Sequence, residues 1–150
     1  MDEVRKVVGL QAVVSAFKRL GARCRKIRGR DVYVCVRNGV EAWIRPDKIT
    51  VRIPGEVRLE YLSTYPDLDE VEKEVARATN ADSAYFDYPP DPPLSLNLEF
   101  KPEKLDDALR TFKRFSDHEA FVAVTNIRGE LRLYEDDNVV NLEEWLAMPE

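Results

Sequence analysis

Residues 32–53 read VYVCVRNGVEAWIRPDKITVRI. Val, Ile, Tyr and Trp alternate there with polar or charged residues, which predicts β-strands near 32–37, 40–45 and 49–53. Asn38-Gly39 marks a hairpin between the first two strands, and Pro46-Asp47-Lys48 marks the turn into the third. A two-residue turn would set Arg37 opposite Val40 and Val34 opposite Trp43, mixing the two sides. A three-residue loop, Arg37-Asn38-Gly39, pairs Val36 with Val40 and Val34 with Ala42, so the patterning favours it. On that reading Tyr33, Cys35, Glu41, Trp43, Arg45, Thr50 and Arg52 gather on one side of the sheet and the aliphatic residues on the other.

Upstream, Lys18, Arg19, Arg23, Arg25, Lys26, Arg28 and Arg30 fall within thirteen residues that contain no acid. Lys18 and Arg19 close an amphipathic helix over 2–20, with Gly21 at its C-cap, and there the helix dipole accounts for two cations. The remaining five lie beyond the helix, on a strand near 22–28 and its turn. If Ile27 pairs with Val32, Cys24 falls opposite Cys35. Two buried thiols are the favoured state of that pair; a disulfide suits mainly a hyperthermophilic source.

Downstream, a short strand is expected through Val57, Leu59 and Tyr61, after Pro54-Gly55 ends the one before it. A second helix covers 66–79, with Asp67 and Glu70 at capping-box spacing. Strands follow over 84–88 and 94–100, separated by the stiff loop Pro89-Pro90-Asp91-Pro92-Pro93. Pro102 opens a third helix whose stripe is Leu105, Ala108, Leu109, Phe112 and Phe115. His118 lies in the turn after it. Strands over 120–125 and 130–134 come next, and Asn141 and Glu144 are spaced to cap a last helix whose Trp145, Leu146 and Met148 form a dimer patch if left uncovered. The whole reads as a single α+β domain over residues 1–150, an antiparallel β-sheet with helices packed on one face.

The net charge of −5 hides an asymmetry: residues 1–60 carry 14 Lys/Arg against 7 Asp/Glu, and residues 61–150 carry 9 against 21, so +7 and −12 give the total. A local basic face steers polyanions whatever the overall charge. The charged fraction of 34% and a single Gln lean towards a thermophilic source. No run reaches the roughly 20 apolar residues of a membrane span, and Met1-Asp2-Glu3 begins no signal sequence, so a cytoplasmic protein is expected. No Gly-rich phosphate loop, GxSxG or CxxC occurs, and there is one histidine. No metal or other cofactor is implied.

Cations and rings on one side of a sheet fit single-stranded DNA or RNA, with bases stacked on rings and phosphates near guanidinium groups. The residues expected to bind are Arg23, Arg25, Arg28, Arg30, Arg37, Arg45 and Arg52 for phosphates, and Tyr33 and Trp43 for bases. The run from Tyr33 through Arg37 to Trp43 and Arg45, preceded by a helix and followed by further helices, resembles the layout of the small archaeal single-stranded DNA-binding proteins of Thermoproteales and their RNA-binding relatives. That resemblance implies a basic, hydrophobic cleft on a non-OB α+β domain, and association into dimers or tetramers. Two alternatives stand beside it. Asp87 or Asp91 with Glu99-Phe100-Lys101 has the acid-then-Glu-x-Lys order of metal-dependent nucleases. A structural protein would instead self-assemble through its basic and acidic halves. DNA and RNA are not separable in sequence, because the contact to the 2′-hydroxyl has no linear signature.

Overall fold

A computed structural model describes the backbone of residues 2–58, 68–87, 94–117, 121–125, 131–135 and 138–141, and the side chains of 9–54, 69, 72–87 and 95–117. The chain runs α1 (Asp2–Arg19), β1 (Arg23–Lys26), β2 (Tyr33–Arg37), β3 (Val40–Ile44), β4 (Ile49–Arg58), α2 (Leu68–Thr79), β5 (Ser83–Asp87) and β6 (Leu94–Phe100). A turn of 3-10 helix (Pro102–Lys104) leads into α3 (Leu105–Asp117), followed by β7 (Phe121–Thr125), β8 (Leu131–Glu135) and β9 (Asn138–Asn141). The strands join one sheet in the order β1-β2-β3-β4-β7-β8-β9, with β6 also on β4 and β5 on β6. Every ladder is antiparallel except β4–β7. This is the expected α+β architecture.

Each of the first two helices stops where a residue can take a positive φ. Gly21 has φ 92°, its N–H reaches the Lys18 carbonyl at 2.9 Å, and the Ala22 N–H reaches Phe17 at 3.3 Å. Asn80 ends α2 in the same way, with φ 59° and the Ala81 N–H on Ala76 at 2.9 Å. Both are Schellman closures, which satisfy carbonyls the helix leaves open.

The hairpin after β2 differs from expectation. Asn38 and Gly39 have φ 48° and 83°, the two positive values of a type I′ turn, and Arg37 pairs directly with Val40 and Val34 with Trp43. The two-residue turn therefore wins over grouping the valines, because its twist matches that of the flanking strands. One residue of slip reverses the strand. Cys35 points into the core with no exposure, while Val36 is 39% exposed on the outer side. Tyr33 and Arg37 consequently lie on the helix-covered side, not with Trp43. Cys24 does pair with Cys35, and the two form a disulfide rather than two thiols.

A second difference concerns Pro54-Gly55, expected to end a strand. β4 runs through it to Arg58. Its pairing to β3 ends at Arg52, and a parallel ladder to β7 begins at Gly55, while β6 continues along the opposite edge. Pro54 sits at the changeover of partners, where a missing N–H costs the ladder least. The short strand expected through 57–61 is thus the end of β4 as far as Arg58.

The core lies between one side of this sheet and the helices. Ala42, Ile44, Ile49, Val51, Ile53, Leu96, Leu98 and Phe100 face Leu10, Val14 and Phe17 of α1 and Ala108, Phe112 and Phe115 of α3. The rings of Phe17 and Phe112 meet edge to face at 5.0 Å, a favoured aromatic geometry. α2 lies against β5 and adds Val75 to the same core. The Phe86 N–H on the outer edge of β5 donates to Glu72 Oε1 of α2 at 3.2 Å, which occupies a donor an edge strand would otherwise leave open. The proline loop, His118, Asp91 and the last expected helix with Trp145, Leu146 and Met148 lie outside the described residues; Asn141, expected to cap that helix, ends β9.

Candidate nucleic-acid interface

The sides of the sheet follow from register. One outer rung runs Arg25, Val34, Trp43, Thr50, Glu99, Ser83, and the next runs Arg23, Val36, Glu41, Arg52, Asn97, Tyr85. α1 and α3 pack on the opposite side, as their buried partners show. No described helix lies across the outer rungs.

Arg23 and Arg25 are exposed on this side, and Arg28 and Arg30 are exposed in the β1–β2 turn around Gly29. No described acid forms an ion pair with any of the four. Trp43 is half-buried; its Nε1 donates to Glu41 Oε1 at 2.8 Å, and the Arg45 guanidinium carbon stands 5.7 Å from the ring centroid. Arg45 also donates to Thr50 Oγ1 at 3.3 Å. These two bonds and the cation–π contact fix ring and guanidinium as a unit.

The outer side is not purely cationic. Arg52 stands 3.7 Å from Asp87, and Lys48 stands 3.6 Å from Glu99. Counting described residues, Arg23, Arg25, Arg45, Lys48 and Arg52 stand against Glu41, Asp87 and Glu99, an excess of two positive charges. Thr50, Ser95 and Asn97, all polar, are buried.

Tyr33 and Arg37 do not belong to this side. Tyr33 packs against the core, and its hydroxyl accepts a bond from Gln11 of α1 at 3.1 Å. Arg37 donates to Ser116 Oγ at 2.9 Å and pairs with Asp117 at the end of α3. Both fasten β2 to helices. Their positions at opposite ends of a short strand let polar tips escape sideways while Cys35 between them is enclosed.

Of the described residues of the nuclease pattern, Asp87 is set apart from Glu99. Asp87 pairs with Ser95, four positions from Glu99 along β6, or about 13 Å at strand rise. Lys101 is exposed, and its N–H donates to Asp82 Oδ2 at 2.7 Å. That bond, and then Lys104 at 3.1 Å, holds the Asp82 carboxyl below the usual carboxylate range. No group of three His, Cys, Asp or Glu among the described residues is placed to hold a metal ion.

Sequence reasoning missed Tyr85. It is 40% exposed on the outer side, where its hydroxyl lies near the Glu99 charge. Burial against the sheet, then the Glu99 charge, push that hydroxyl above the ordinary phenol value. The available signal was parity: Leu96, Leu98 and Phe100 define the core side of β6, so a register pairing Leu98 with Ala84 places Tyr85 outside.

Fold and site together define a small α+β domain whose sheet presents guanidinium groups and aromatic rings on the side away from its helices. Compared with protein-family models, with curated proteins and with solved structures, the chain matches none of them. No described helix is long and apolar enough to cross a membrane.

Proposed function

We propose that the protein binds single-stranded nucleic acid, with little sequence preference, across the outer side of β1–β4. The observation that carries this reading is Trp43 seated beside Arg45 on a side that also bears Arg23, Arg25 and Arg52 and no described helix. A base placed on the indole displaces the Arg45 guanidinium, which then meets the adjoining phosphate. Arg28 and Arg30 extend the cationic path round the hairpin tip. A flat, sequence-tolerant surface of this kind suits unpaired bases, which offer a π-face, better than a duplex, which hides it.

Charge selects this ligand over a neutral one, but the excess is small. The acids beside Arg52 and Lys48 lower their availability, so we expect moderate affinity from few phosphate contacts. With four or so phosphates neutralised, the logarithm of affinity should fall with the logarithm of salt at a slope of about −3. Association into a dimer or tetramer, and a cytoplasmic, thermophilic archaeal setting, belong to the same proposal through the resemblance in layout. Asp87 and Glu99, set apart along β6, lend no support to a hydrolytic alternative.

The test is fluorescence anisotropy with labelled single-stranded DNA, single-stranded RNA and duplex at about 50 and 200 mM salt. Binding of either single strand in preference to duplex, weakened by salt, is the expected result. Trp43→Ala should weaken it by about 1–3 kcal/mol with the fold intact by circular dichroism. Absence of single-strand binding at the lower salt, or equal binding by folded Trp43→Ala, overturns the reading.

A further inference from the structure

We propose that Tyr85 is a second stacking platform, so that the ligand is one continuous strand crossing the sheet from Trp43 to Tyr85. The inference rests on the reading of the outer side as a nucleic-acid surface, and it adds a residue, a direction and a minimum length to it. Tyr85 and Val36 are the large hydrophobic side chains left exposed among the described residues. Val36 sits next to the cationic edge strand, whereas Tyr85 stands at the opposite edge, on β5.

The ladders fix how far apart the rings are. Trp43 is on β3 and Tyr85 on β5, with β4 and β6 between, and the rung of Tyr85 is two residues from that of Trp43. Three strand spacings and two residues of rise give about 16 Å between the two positions. Single bases cannot bridge that interval, and a strand of several nucleotides can.

What lies between the rings fits a sugar–phosphate backbone. The floor consists of Thr50 and Asn97, both buried, with Ser95 accepting a bond from Asn97 Nδ2 at 3.2 Å. Arg45 and Arg52 flank it, one beside each ring's rung. Two acids lie on this side, Glu99 with Lys48 at 3.6 Å and Asp87 with Arg52 at 3.7 Å. The two cations offset those carboxylates.

Oligothymidylates shorter and longer than the inter-ring reach, titrated by anisotropy against the full chain and its variants, test this. Wild-type affinity should rise steeply at the length that first reaches both rings. Tyr85→Ala should weaken binding of the long oligomers about 5- to 100-fold and leave the shortest unaffected. Tyr85→Phe, which keeps the ring and loses the hydroxyl, should stay within a few-fold of wild type. Tyr85→Leu, which fills the same place without an aromatic face, should behave like Tyr85→Ala and guards against a folding defect. Wild-type binding left unchanged by both Tyr85→Ala and Tyr85→Leu, or weakened equally at all lengths, removes Tyr85 while leaving the surface. A wild-type chain that binds no oligomer removes the surface itself, and this inference with it.

Discussion

On the helix side of the sheet one rung reads Cys24, Cys35, Ala42, Val51, Leu98, Ala84; on the outer side the neighbouring rung reads Arg25, Val34, Trp43, Thr50, Glu99, Ser83. The same backbone ladders carry both. Toward the helices the side chains are apolar, and Cys35, Ala42, Val51 and Leu98 have no exposure. Away from them the long side chains of Arg25, Trp43 and Glu99 stand among the short ones of Val34, Thr50 and Ser83. Substitutions on the first rung act on folding, because apolar area and close packing set the stability there. On the second they act on what the surface meets. A variant that moves both properties together would break this division.

The largest expected effect is on the helix side. Phe112 is fully buried and stacks edge to face on Phe17, so Phe112→Ala removes a ring that joins α3 to α1 and the sheet. It should cost about 3–5 kcal/mol in urea denaturation. A loss below about 1 kcal/mol would mean that the helices contribute little to the core. The next effect belongs to the Cys24–Cys35 bond, which ties the edge strand β1 to β2 on the same side. It closes a loop with a sequence separation of 11, and the chain-entropy account gives such a loop about 3 kcal/mol. Replacing both residues by alanine should lower the denaturation midpoint accordingly, and a thiol reductant should lower wild type but not the double variant. If neither treatment shifts the midpoint, β1 is held by its ladder alone.

The two sides also differ in how readily the sequence discloses them. β6 was legible because its alternation is strict: Leu96, Leu98 and Phe100 face in, and Ser95, Asn97 and Glu99 face out. α3 was legible because Phe112 and Phe115 recur at helical spacing with Ala108. β2 was not, since Val32, Val34 and Val36 compete with Tyr33 and Cys35 for the same side. Pattern alone leaves its parity open, and the type I′ turn at Asn38-Gly39 decides it. That single slip moved Tyr33 and Arg37 from the candidate surface to helix contacts, while Trp43, Arg45 and Arg52 stayed where the pattern put them. β4 was cut short at Pro54-Gly55 because its change of partner from β3 to β7 has no local signature. The pairing of Cys24 with Cys35 was readable, but the oxidation state was not. β9 went unread because Asn138-Val139-Val140-Asn141 is too short to show a period. Tyr85 was hidden by the proline-rich connection, whose length does not fix the register of β5 on β6.

The smallest expected effect sharpens the division from the helix side by way of charge. Asp117 ends α3, where a carboxylate meets the negative end of the helix dipole. It accepts a bond from Lys113 at 2.8 Å and pairs with Arg37 of β2. Lys113 foremost, and then Arg37, hold its carboxyl below the usual carboxylate range despite partial burial. A folded-state pKa below the unfolded value of about 3.9 stabilises the fold fully above that value, and the contribution is lost as pH falls through the folded one. Asp117→Asn should therefore destabilise at pH 7 and converge on wild type in strong acid. The Asp117 carboxylate is 29% exposed, and solvent screening limits such a pair to about 1 kcal/mol or less, fading with added salt. Denaturation midpoints at neutral pH and near pH 3 measure the difference. An Asp117→Asn deficit that persists unchanged into acid would show that the contact to β2 works through shape rather than charge. Nucleic-acid affinity of the same variant, measured at neutral pH, should not change, because Arg37 and Asp117 both stand on the side of the sheet opposite the proposed binding surface.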